Sequence, residues 1–64
     1  MTTPEALKGL YAALGGNAAD VAGMSTTVQI LNAIAGKYGG VTTATTTPEA
    51  IVAITEIAGE IGKE

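Results

Sequence analysis

Two glycine pairs, Gly15-Gly16 and Gly39-Gly40, divide this chain into three segments. Glycine has no Cβ, so it readily adopts the left-handed backbone conformation that closes a helix. Each pair follows an amphipathic stretch, and we therefore expect a helix to end at each pair. At the first pair we expect one of the two glycines to have a positive φ.

The pentapeptide TTPEA occurs twice, at residues 2–6 and 46–50. In each copy a threonine (Thr3 and Thr47) is expected to cap a helix, and proline occupies the first helical position, where its missing N–H does no harm. The glutamate that follows meets the positive end of the helix dipole. The residues after the two copies align poorly, so we interpret the repeat as one capping sequence used twice rather than as an internal duplication.

Between the first glycine pair and the central helix lies a short turn. Asn17 can cap it, Gly23 closes it, and Val21 and Met24 are expected to hold it against the core. The sequence therefore predicts an all-α domain, a small bundle of three helices plus one short helical turn. The predicted helices span about residues 4–14, 18–22, 27–38 and 48–61 of the single domain 1–64.

The central predicted helix carries one apolar stripe, with Ile30 lying apart from it and available to another surface. The residues of the stripe are Val28, Leu31, Ile34, Ala35 and Tyr38. After this helix comes VTTATT, residues 41–46, which is β-branched and uncharged. We interpret VTTATT as an extended loop, because no second strand is visible, and leave open its addition to a partner's sheet.

The last predicted helix has the clearest pattern. Ile51, Ile54, Ala58 and Ile61 follow the 3-4-3 spacing of a coiled-coil seam, and isoleucine at both kinds of seam position favours three or four strands. The same stripe could instead pack on the other helices of its own chain. A mixed arrangement, with Ile57 facing inward and the other isoleucines facing a symmetry mate, also fits.

A chain of 64 residues can bury only a small core. It has no cysteine for a disulfide, and without histidine or cysteine it has no ligands for a structural zinc. Its mean hydropathy is +0.38, and only 14% of its residues are charged, which is low for the surface of a monomer. These features predict stabilisation by a partner, either another copy or another protein.

Several classes of function are disfavoured by composition. The net charge is −3, arginine is absent and aromatic residues are few, so a nucleic-acid interface is not expected. The most apolar run, residues 21–36, is interrupted by polar residues and is shorter than the ~20 residues of a membrane span. No signal peptide is visible. Without histidine or cysteine and with Ser25 as the sole serine, we expect no enzyme activity, metal site or cofactor.

Residues 7–36, LKGLYAALGGNAADVAGMSTTVQILNAIAG, contain a helix ending in LGG, then NAADVAGM, then a threonine-rich cap, then a helix ending in LNAIA. This pattern resembles the N-terminal segment of head fibre proteins from tailed phages and prophages of Gram-positive hosts. The resemblance covers about half of the chain. It implies a virion component, made in the host cytoplasm, that forms a homotrimer and docks on the major capsid protein at the capsid surface.

From these observations we predict a structural protein, either a head fibre base or a capsid decoration protein; a full fibre is expected to continue into a stalk and tip. The predicted trimer interface is the Ile51, Ile54, Ala58 and Ile61 seam, and the predicted capsid or partner interface is formed by Asn17, Val21 and Met24. One alternative is a monomeric helical protein–protein interaction module with a docking patch around Met24. Another is an exported acidic peptide released by cleavage after Gly16.

Overall fold

The computed structural model describes residues 1–61, which form five helices and no strand. The predicted all-α fold is therefore confirmed, and the first three helices lie within a residue of their predicted bounds. The helices are α1 (Thr3–Ala13), α2 (Ala18–Val21), α3 (Thr27–Lys37), α4 (Thr47–Glu56) and α5 (Ala58–Ile61).

Both TTPEA copies start a helix, but the capping threonine is the first of the pair and not the second. Thr2 caps α1, where its side chain accepts from the Glu5 N–H at 3.3 Å and the Glu5 side chain accepts from the Thr2 N–H at 3.0 Å. Thr46 caps α4 in the same position. Proline thus occupies the second helical position, where its missing N–H is equally harmless because no N–H of the first turn has an intrahelical partner.

The prediction of a single helix over residues 48–61 is wrong. The structure has two helices here, α4 and α5, which are separated at Ile57. The Ile57 N–H bonds to the Ile54 carbonyl, three residues back, at 3.0 Å, and the backbone there has φ −109° and ψ 8°. Two local features weaken the helix at this point. The Thr55 hydroxyl donates to the Ile51 carbonyl at 2.8 Å, a bond that bends helices, and Gly59 follows closely.

Helix α3 is the centre of the fold, because it packs against both α1 and α4. It therefore buries two sides. Leu31 and Ala35 from the predicted stripe are buried, and Ile30, which was expected to lie apart from the stripe and to be available to another surface, is fully buried as well. That other surface is part of the core, in which Ile30 clusters with Tyr11 and Val21.

Helix α4 presents small residues to the core and large residues to solvent. Ala50 and Ala53 are its buried residues, whereas Ile51 and Val52 are 52% and 57% exposed. Ile54 is half-buried and packs against the core cluster of Tyr11, Val21, Ile30 and Ile34. Helix α4 therefore leaves two large aliphatic side chains at the surface.

Candidate functional site

An apolar groove lies between α1 and α4, with α3 as its floor. Its volume is about 260 Å³, and every lining residue is aliphatic. We call it the isoleucine groove. Its lining residues are Leu10, Leu14, Leu31, Ile34, Ile51, Ile54 and Ile61.

The isoleucine groove is open at its rim and closed at its floor. Leu31 and Ile34 are buried, whereas Leu10 on α1 and Ile51 on α4 are 46% and 52% exposed. Full burial of a large aliphatic side chain stabilises by about 1.5–3 kcal/mol, so each of these two rim residues leaves roughly half of that unrealised. A contiguous apolar surface with contributions from several helices is typical of a contact site.

Three of the four residues predicted to form a trimer seam meet in this groove, namely Ile51, Ile54 and Ile61. Ala58, the first residue of α5, is exposed and does not line it. The coiled-coil register is therefore interrupted between Ile54 and Ala58. The sequence interpretation also missed the contribution of α1, although the helical spacing of Leu10 and Leu14 was a visible signal.

The predicted partner interface of Asn17, Val21 and Met24 is not brought together as a contact surface. Val21 is only 1% exposed and belongs to the core cluster, so its assignment to an interface is wrong. Its burial follows from the single turn of α2, which has one apolar side chain with which to attach itself. Asn17 caps α2 by accepting from the Ala19 N–H at 3.0 Å, and Met24 is half-buried against the core.

A second groove lies on the other side of α4, between this helix and the segment that joins it to α3. Its volume is about 410 Å³. We call it the connector groove. Its lining residues are Val41, Thr43, Ala44, Pro48, Glu49, Val52, Ala53 and Glu56. The adjacent exposed residues Ile51 and Val52 thus belong to two different surfaces.

The carboxylates of the described part of the chain are dispersed or used locally. Among residues 1–61 no group of three or more acidic, histidine or cysteine side chains could hold a metal ion. Within the same residues, none of the helices has the length and apolarity needed to cross a bilayer.

Comparison of the chain with protein-family models, with curated proteins and with solved structures gives no match.

Proposed function

We propose that this protein is a structural assembly module that forms a homotrimer and attaches to a virion capsid, as a head fibre base or a capsid decoration protein. One observation carries the self-association: an entirely aliphatic groove whose rim residues, Leu10 and Ile51, are about half exposed in the isolated chain. A small domain with so little core gains substantially by covering such a surface.

The chemistry of the groove supports a second copy as its occupant. Within residues 1–61, no polar side chain lines the groove to select a charged or polar ligand. Ile51 forms part of its rim and is 52% exposed, so each copy carries both a receiving surface and an apolar side chain that a neighbouring copy can cover. Head-to-tail contacts of this kind close into rings when the rotation between copies closes, and a three-fold ring is one such closure.

The break at Ile57 changes how such a trimer would be built. A continuous three-stranded coiled coil needs an unbroken seam, and the seam is interrupted before Ala58. We therefore propose a trimer in which the globular domains pack through their isoleucine grooves. The number three and the capsid as the site of attachment follow from the resemblance of residues 7–36 to head fibre proteins.

The proposal is tested first by absolute molar mass, measured by light scattering over a dilution series. A trimer that persists on dilution supports it, and a folded monomer at all concentrations contradicts it. A monomer would favour the alternative of a heterologous interaction module, whose partner lays an amphipathic helix in the same groove. The virion assignment is tested separately by mass spectrometry of purified particles, in which the chain should be found in stoichiometric amounts.

A further inference from the structure

The segment that joins α3 to α4 is arranged as an exposed edge. Residues 40–45 run without a turn or bend. The methyl group of Thr42 lies over Gly36 of α3, where an added Cβ would come within 2.9 Å of it. Val41 and Thr43, its two neighbours, line the connector groove instead. Side chains therefore alternate between the two sides of the segment, as they do in a strand.

The backbone polar groups of residues 41–43 have no hydrogen-bond partner within residues 1–61. The residues on either side of this stretch, Gly40 and Ala44, are hydrogen-bonded to α3. The Gly40 N–H donates to the Ala35 carbonyl at 2.8 Å, and the Asn32 side-chain amide donates to the Ala44 carbonyl at 3.0 Å. A short extended backbone, anchored at its ends and unpaired in its middle, is a template for the addition of another strand.

The opposite wall of the connector groove supplies apolar contacts and negative charge. Val52 and Ala53 provide the apolar surface, and among the described residues the charged side chains that line the groove are Glu49 and Glu56. These two lie two helical turns apart, or roughly 10 Å along α4. Glu49 accepts hydrogen bonds from the Thr45 and Thr46 hydroxyls at 3.3 and 2.9 Å. Glu56 accepts none within the described part of the chain.

We propose that the connector groove binds an extended, apolar segment of a partner protein that carries at least one lysine or arginine. The segment pairs with the backbone of residues 41–43, places apolar side chains against Val41 and Val52, and directs its cation to Glu56. Backbone pairing supplies affinity in this mode, and the groove supplies selectivity for the side chains. This surface is separate from the isoleucine groove, so the inference does not depend on the proposed trimer.

Charge decides between a heterologous partner and a second copy. The extended segment of this chain itself, residues 41–46, is uncharged and offers no cation to Glu56. Pairing of two connectors would therefore leave the acidic wall unused. A basic segment of another protein would bind both the unpaired backbone and the carboxylates. The net charge of −3 on this protein would also attract such a segment.

The probe is the end-blocked heptapeptide Val-Thr-Val-Thr-Val-Thr-Lys, whose valines and lysine lie on one face when extended. It is titrated to millimolar concentration into the ¹⁵N-labelled protein and followed by NMR. The amides of residues 41–43 should shift, and their hydrogen exchange should slow at least tenfold. A matched peptide with glutamate in place of lysine should bind at least tenfold more weakly. Glu56→Lys should weaken binding of the lysine peptide to a similar extent, whereas Glu60→Lys, the same charge change outside the groove, should not.

Three results would overturn the inference. The first is an absence of shifts at residues 41–43 at millimolar peptide. The second is equal binding of the lysine and glutamate peptides. The third is protection of residues 41–43 that rises with protein concentration without peptide, which would assign the edge to a second copy. Ile51→Asp should leave peptide binding unchanged, so failure of the trimer and failure of this inference can be told apart.

Discussion

The hydroxyl of Tyr11 donates a hydrogen bond to Oδ2 of Asp20 at 3.0 Å, and this bond ties α2 to α1 across the glycine pair. Gly15 between them has φ +93°, which confirms the left-handed residue expected at this helix end. The ring of Tyr11 lies directly over Gly16, leaving no room for a Cβ. The LGG turn, the aromatic ring and the carboxylate thus form one unit that positions α2.

Replacement of Gly16 by alanine should destabilise the protein by about 1–3 kcal/mol, because the new methyl group would overlap the rigid Tyr11 ring. Urea unfolding followed by circular dichroism measures this change. Gly9→Ala is the matched control. Nothing lies within 4 Å of a Cβ at Gly9, which sits inside α1, so this change should stabilise by about 0.5–1 kcal/mol. Equal effects of the two substitutions would refute the close contact.

The Tyr11–Asp20 hydrogen bond should make the stability of the protein depend on pH in the alkaline range. Donation to Asp20, assisted by burial and by the charge of Asp20, raises the pKa of Tyr11 above its ordinary value near 10. The neutral phenol is the form that the fold stabilises. Its contribution is therefore complete below the ordinary pKa and is lost as pH rises through the raised pKa.

Thermal unfolding between pH 8 and pH 12 should accordingly show a steeper loss of stability in the wild-type protein than in Tyr11→Phe. The phenylalanine variant keeps the ring over Gly16 but has no proton to lose. Parallel slopes for the two proteins would contradict the hydrogen bond as the source of the shift.

The caps of α1 allow a direct comparison of adjacent threonines. Thr2→Ala removes the oxygen that accepts from the Glu5 N–H and should cost about 1 kcal/mol of stability. Thr3→Ala changes an exposed residue in the first turn and should alter stability by less than about 0.5 kcal/mol. Melting temperatures of the two variants measure these losses. A larger loss of stability for Thr3→Ala would indicate that Thr3 is the capping residue, as predicted from the sequence.

The Glu5 carboxylate completes this cap. Its hydrogen bonds with Thr2 hold the pKa of Glu5 below its ordinary value. Its contribution is present above the ordinary pKa and is lost as pH falls through the lowered value. The difference in melting temperature between wild type and Glu5→Gln should therefore shrink in acid, and a difference independent of pH would argue against a contribution from the charged carboxylate.

The bounds of the first three helices could be predicted from the sequence to within a residue, because they depend on local chemistry. Glycine at a helix end and threonine or asparagine at a helix start act within a few residues of themselves. The interior could not be predicted in the same way. Ile30 is buried because α3 lies between two helices, and Val21 is buried because α2 has no other apolar side chain to attach it.

The candidate site was predicted only in part for the same reason. The isoleucine spacing of the last segment identified Ile51, Ile54 and Ile61, but the partners that complete their groove come from α1 and α3. The break at Ile57 is accompanied by the hydrogen bond from the Thr55 hydroxyl to the Ile51 carbonyl, which apolar spacing alone does not reveal. Extrapolating one helix through this point grouped Ala58 with the three isoleucines, although Ala58 does not line the groove.

Two adjacent residues test the central claim of self-association. Ile51 and Val52 are similarly exposed, at 52% and 57%, but Ile51 lines the isoleucine groove and Val52 lines the connector groove. Introduction of aspartate at either position adds the same charge to the same helix. Only the change at Ile51 places that charge in the proposed interface between copies, where its desolvation is costly.

The most direct measurement is therefore the molar mass of wild type, Ile51→Asp and Val52→Asp by light scattering over a hundredfold dilution, with circular dichroism to verify the helical fold. We expect a trimer for wild type and Val52→Asp, and a folded monomer for Ile51→Asp at concentrations where the other two remain associated. A monomeric wild type, or a trimer that tolerates Ile51→Asp, would contradict the proposed assembly.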